Sequence, residues 1–337
     1  MAERTTDNDK YARISRMVES VSTAVSPDSK VQAYHRLMRA LILDPESLKI
    51  ALGEPGWLKI VVPNRDGRRF ATMAHLIAVT CPEESLELFE RMREDRRYRP
   101  VLTARDTEGN TVGALIVGFA IEKDMKRRLT VGRLMASMLR EEFGESMEAL
   151  RGRVKIDIVI DTGEKSELKE RIANTLKDNP ELGCILKMGA HDGGFTVAHM
   201  MADDRYLGAE LIGMLKEKPL FLEIMQLRDN EGRFPVSTVL IKSCIDPLFE
   251  ALETAPSEVT RRILAEKLED SEGNDLHTAH LLITDPHYYK RLDDLLKSDI
   301  ALESIYDLKL HSLRDESWYT TRELIAKATR IVLGDVN

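Results

Sequence analysis

Apolar residues recur along this chain at intervals of three and four, the spacing that lines one face of an α-helix. Leu86, Phe89 and Met92 fall 3 and 3 apart within Glu84–Met92, and Leu211, Met214 and Leu215 fall 3 and 1 apart within Gly208–Leu215. Each pattern predicts one apolar stripe and one wet face, as in a helix lying over a core. Other runs, His75–Val79 and Leu115–Phe119, are almost wholly apolar and fit inner helices covered on both sides. A short segment such as Phe221–Arg228 follows the amphipathic helix. The order predicted is turn, inner helix, outer helix, short third element. One stretch departs from the helical period. Arg153–Asp161 alternates and is β-branched, which fits a strand or an extended loop.

The elements repeat. An Asp, a Gly shortly after it and a Thr-like position open each apolar helix. The phrase runs Asp66-Gly67 then Thr72 to His75, Asp106 to Gly109 then Thr111, and Asp192 to Gly194 then Thr196 to His199. It returns as Asp229 to Gly232 then Phe234 to Ser237, and as Asp270 to Gly273 then His277 to His280. The glycines at 67, 109, 194, 232 and 273 are separated by 42, 85, 38 and 41 residues. The doubled interval predicts a degenerate sixth unit near 115–190, turning at Gly152 or at Gly163, and the spacing does not choose between them. The residue types suit the task. Asp closes an Asx-turn, Gly takes positive φ, and Thr caps the free N–H groups of the helix that follows. Pro235 fits a first helical turn, where no N–H is required.

The expected fold is thus an all-α tandem helical-repeat solenoid with a short extended segment near 153–161. Residues 1–60 read as an N-terminal helical cap, with helices over Val31–Leu43 and from Pro45 to about Gly53. Repeats occupy 61–284, and 285–337 reads as a C-terminal cap. There Thr320 and Glu323 form a capping-box pattern opening a last helix, Leu324–Leu333.

At Thr196-Val-Ala-His199, with Thr72-Met-Ala-His75 behind it, the phrase resembles the ankyrin repeat, whose turn carries Asp and Gly before Thr-Pro-Leu-His. The likeness covers about 10–15 residues in three units, and ankyrin repeats are shorter, at about 33 residues. The proline is missing from the Thr-x-x-His units and stands only at Pro235. In length the unit is nearer HEAT repeats. The resemblance implies protein binding. It also implies a structural role for His75, His199 and His280, each bonding back to its turn and Thr.

Composition narrows the functional classes. The 337 residues carry 49 Lys+Arg against 57 Asp+Glu, a net charge of −8, which disfavours non-specific nucleic-acid binding. The charge is uneven. Arg91 to Arg133 holds 11 basic and 6 acidic residues, whereas Asp246 to Asn337 holds 11 and 19. Cys81, Cys184 and Cys244 form no CxxC and sit among apolar residues, which suits buried thiols in a reducing, cytoplasmic compartment. The first ten residues have no secretory pattern, and no apolar run approaches the ~18 residues of a membrane span.

The candidate chemistry is sparse. GxSxG, HExxH, a phosphate-binding glycine loop and GxGxxG after a strand are all absent, so no catalytic residue, cofactor or metal is expected. His277 and His280, with His287 downstream, lack the carboxylate or Cys that would complete a metal spacing. The three recurring histidines would stand about 20 Å or more apart if stacked helices lie roughly 8–10 Å apart, too far for one ion. Arg65, Arg105 and Arg228 each precede a turn Asp, and such a ladder either holds an acidic partner or pairs locally. Arg96, Arg97 and Arg99 lie in the basic run, with Tyr98 the one aromatic among them. That run offers a nucleic-acid face over 91–133 or a solvated, protein-contacting one. The turn and cap residues expected to be structural are Thr72, His75, Asp106, Gly109, Thr111, Thr196, His199, Asp229, Gly232, Asp270 and Gly273.

Overall fold

The computed structural model describes residues 7–63, 70–121, 167–190, 194–230, 232–241, 245–269, 275–283, 288–312 and 317–333. The protein is mostly helical, with little sheet. It divides into two compact units, Met1–Asp192 and Gly193–Asn337. The proposed extended segment 153–161 and the alternative turns at Gly152 and Gly163 lie outside the described residues.

Helix starts follow the capping residues. Pro27–Leu43 opens on Ser26, whose hydroxyl accepts from the Ser29 amide at 3.1 Å. Pro45–Leu52 opens on Asp44, which accepts from the Glu46 amide at 3.3 Å, and it ends at Gly53. A helix over Asp7–Thr23, unforeseen from the periodicity, buries Ile14, Val18 and Val21. The amphipathic segment expected over 84–92 is broken at Leu86 into Pro82–Ser85 and Glu87–Glu94. The later outer helices, Arg205–Leu215, Ile245–Thr254 and Tyr288–Ser298, are continuous.

Within the second compact unit three layers are each built from equivalent elements. Inner helices Val197–Ala202, Pro235–Ile241, Thr278–Ile283 and Thr321–Leu333 pack in succession. Outer helix Arg205–Leu215 meets Ile245–Thr254. The third elements Leu220–Met225, Ser257–Leu264 and the 3-10 helix Ile300–Asp307 also pack in chain order. The inner helices Val197–Ala202, Pro235–Ile241 and Thr278–Ile283 can be covered on both sides because they carry little polar surface, unlike the amphipathic last helix Thr321–Leu333. Val197, Ala198, His199, Met201 and Ala202 are all buried. Burial at roughly 25 cal/mol per Å² makes each of these apolar contacts stabilising.

The first compact unit repeats the plan. Met73–Thr80 packs on Val112–Ile121, and Glu87–Glu94 meets Glu167–Lys177. Val112–Ile121 also packs on Glu167–Lys177.

The connections are not purely helical, but the little sheet they carry is consistent with the all-α expectation. Antiparallel hairpins pair Val61–Pro63 with Phe70–Thr72, Lys267–Glu269 with Asp275–His277, and Lys309–Ser312 with Ser317–Thr320. Each hairpin ends on the residue that caps an inner helix. The amide that follows donates back across its base: Met73 to Ile60 at 3.0 Å, Thr278 to Glu266 at 3.0 Å and Thr321 to Leu308 at 2.9 Å. No described helix is long and apolar enough to cross a membrane.

Candidate interaction surface: the turn edge

Two connections are tight turns rather than hairpins, and they share one construction. Gly109 and Gly232 take φ of 81° and 75°, a region that a Cβ disfavours. The Gly109 amide donates to the Asp106 carbonyl at 3.1 Å, and the Gly232 amide to that of Asp229 at 3.0 Å. The Asp106 carboxylate accepts from the amides of Glu108 and Asn110, both at 2.9 Å, and that of Asp229 from the Arg233 amide at 2.8 Å. Both aspartates are buried, so these bonds replace lost water. The turn is closed by the Asp amide donating to the carbonyl just after the glycine, Asn110 or Arg233.

The recurring histidines lock onto that carbonyl. The Thr72 amide donates to His75 Nδ1 at 3.1 Å, and Thr72 Oγ1 lies 2.7 Å from the same nitrogen. Nδ1 is therefore an acceptor, and the proton sits on Nε2, which reaches the Asn110 carbonyl of the next unit at 3.1 Å. His199 repeats the arrangement: Nδ1 takes the Thr196 amide at 3.2 Å, and Nε2 reaches the Arg233 carbonyl at 3.1 Å. His280 takes the His277 amide at 3.1 Å and lies 3.4 Å from the Leu308 carbonyl and 3.2 Å from Thr321 Oγ1. Each histidine thus caps its own helix and ties it to the following unit. The sequence pattern showed the first role only. The signal for the second was the constant place of the acceptor, one residue past Gly109 and Gly232.

Burial holds all three imidazoles below their ordinary pKa. It opposes the pull of Asp106 on His75 and of the Arg233 carbonyl and Asp229 on His199. His280 is lowered to about 4, by burial first and then by neighbouring His277. Neutral histidines with both nitrogens engaged are not poised for acid–base work. Among the described residues no group of three His, Cys, Asp or Glu side chains could hold a metal ion.

The remaining caps follow the same logic. Thr111 Oγ1 donates to the Gly189 carbonyl at 2.9 Å and accepts from the Ala114 amide at 3.3 Å. Thr320 and Glu323 form a reciprocal box, with the Thr320 amide 2.7 Å from Glu323 Oε2 and the Glu323 amide 3.2 Å from Thr320 Oγ1. Gly232→Ala is expected to destabilise by about 1 kcal/mol, because a Cβ is costly at positive φ. Thr196→Ala is expected to cost roughly 0.5–2 kcal/mol as a lost cap. Chemical denaturation of each purified variant against the parent measures both.

The arginines singled out by sequence have local partners. Arg105 donates to the Gly109 carbonyl at 2.7 Å and so braces its own turn. Arg97 pairs with Asp95 at 2.7 Å, and Arg96 and Arg99 each approach Glu181 at 3.7 Å. Arg228 is different. Its side chain is 50% exposed, its guanidinium lies 4.7 Å above the Phe234 ring, and Glu266 stands 4.0 Å away. Arg233, overlooked in the sequence, stacks on Phe195 at 5.3 Å and pairs with Asp229 at 2.8 Å. Arg65, Asp270 and Gly273 lie outside the described residues. The chain matches no family model, no curated protein and no solved structure.

Proposed function

We propose that the chain is a non-catalytic helical-repeat solenoid acting as a protein-interaction scaffold or as a subunit of a larger assembly. It would bind through the turn-bearing edge and the concave face that such stacks present. The observation that carries this reading is the use made of the recurring polar residues. The Thr–His pairs at 72/75 and 196/199 are committed to capping their helices and to reaching the turns built on Asp106 and Asp229, at 3.1 Å from His75 to Asn110 and from His199 to Arg233. What remains outward on the edge is side-chain variety, the feature repeat proteins use for recognition.

A nucleic-acid role for residues 91–133 is less well supported. Arg91 pairs with Glu87, Arg97 with Asp95, and Arg96 and Arg99 share Glu181, so four cations of that run already face carboxylates. A reducing compartment such as the cytoplasm suits the Cys81 thiol, which is buried and pushed up to about 11. Immobilised protein incubated with native lysate at physiological salt should retain a partner protein in stoichiometric amount after nuclease treatment. Recovery of no such protein, or its loss with nuclease, counts against the scaffold.

A further inference from the structure

Arg228 and Arg233 flank one tight loop. The Asp229 amide donates to the Arg233 carbonyl at 3.1 Å, which sets the two residues at the loop's base. Both guanidiniums are laid over aromatic rings, Arg228 on Phe234 and Arg233 on Phe195, at 4.7 and 5.3 Å. Stacking fixes planes that would otherwise sweep through many rotamers, so little ordering cost remains when a ligand arrives. Among the described residues Arg228 donates no hydrogen bond, because Glu266 at 4.0 Å is beyond hydrogen-bond reach. Glu266 is instead engaged by the Gln226 amide, and Gln226 Oε1 lies 3.5 Å from exposed Arg262. The patch thus gathers Arg228, Arg233 and Arg262 around two carboxylates, Asp229 and Glu266. The loop 228–233 itself carries two basic and two acidic residues, so what sets the patch apart is the exposed, stacked fork of Arg228 rather than net charge.

We propose that Arg228 and Arg233 form a carboxylate-receiving pair on the turn edge, and that the partner docks there through an acidic peptide segment. The planar fork of Arg228 matches a carboxylate two bonds at a time. This rests on the scaffold reading and names the chemistry of its partner. A nucleic-acid strand fits less well. Its affinity comes from a track of many phosphate contacts and from bases stacking on open aromatic faces. Here Phe195 and Phe234 are capped by the protein's own arginines, and Asp229 and Glu266 interrupt any phosphate track.

The test uses the full chain and a fluorescein-labelled peptide of about ten alternating Glu and Gly residues, followed by anisotropy at low and physiological salt. The expected result is saturable binding that weakens at least tenfold in Arg228→Gln/Arg233→Gln, with helical content and melting unchanged. Arg228→Lys, which keeps the charge and loses the planar fork, should fall between the two. If the Arg233 change perturbs folding, Arg228→Gln alone supplies the comparison. No peptide binding at low salt, equal binding by the variant, or tighter binding of a duplex oligonucleotide overturns the proposal. Lysate capture keeps the two readings apart. A partner retained equally by the double variant removes the arginine site and leaves the scaffold, whereas a wild-type protein that captures nothing removes the scaffold itself.

Discussion

Acidification from pH 7 to pH 4 should remove on the order of 3 kcal/mol of stability through His280 alone, with further losses through His75 and His199. The folded protein holds His280 at about 4, against 6.5 for an unperturbed imidazole. Between those values the unfolded chain binds a proton that the folded chain refuses, so stability rises with pH across the window. It is complete above about 6.5, and the loss saturates once the pH falls below about 4. The geometry gives the same sign. A proton on Nδ1 would face the amide of His277, which already donates to that atom at 3.1 Å. Urea unfolding at half-unit pH steps measures the slope. His280→Gln should lower stability at pH 7 and flatten the curve between pH 4 and 6.5. A variant curve parallel to that of the parent would show that His280 titrates normally.

Phe249→Ala should be the most damaging single truncation, at about 3–5 kcal/mol. The side chain is fully buried on the outer helix Ile245–Thr254. Its ring stacks on Tyr288 of the next outer helix at 5.7 Å, and Arg291 lies 4.9 Å above it while pairing with Asp246 and Glu253 at 3.0 Å. Removing the ring leaves a cavity and takes away the platform that orients Arg291 between the two carboxylates. Val25→Ala, at a side chain that is 99% exposed, should stay within about 0.5 kcal/mol and serves as the control. The shift in denaturation midpoint between the two variants is the measurement. A change below about 1 kcal/mol for Phe249→Ala would mean that the outer layer does not bind one unit to the next.

Much of the helical plan was legible because it is local. Gly109 and Gly232 announce positive φ, Thr196 and Thr320 announce helix starts, and three-and-four spacing marks the outer helices. The hairpins were not legible. Val61–Pro63 and Phe70–Thr72 are three residues each, too short to display alternation, and they exist only because each pairs with the other. The helix Asp7–Thr23 was missed because its core side is just Ile14, Val18 and Val21 within a polar segment. In the candidate surface, the precedence of Arg before the turn Asp grouped Arg105 with Arg228, yet Arg105 braces a carbonyl while Arg228 lies over Phe234. That difference depends on what stands one residue after the turn. Asn110 precedes Thr111 in one unit, and Arg233 precedes Phe234 in the other. Arg233 was invisible for the same reason, since Phe195, its stacking partner, belongs to a different unit.

Histidine does not tie every inner helix to the next. Between Pro235–Ile241 and Thr278–Ile283 the equivalent position is Ser237, whose hydroxyl is spent within its own turn, 2.8 Å from the Phe234 carbonyl. Within the second compact unit the inner helices are therefore joined unequally: His199 reaches Arg233 and His280 reaches toward Leu308, whereas between Pro235–Ile241 and Thr278–Ile283 the ties run through the outer layer, from Arg291 to Asp246 and Glu253. A proton on either imidazole would loosen its own junction and leave the middle one as it is. Acid would then open the inner layer unevenly, on either side of the junction where a hydroxyl stands in place of the ring.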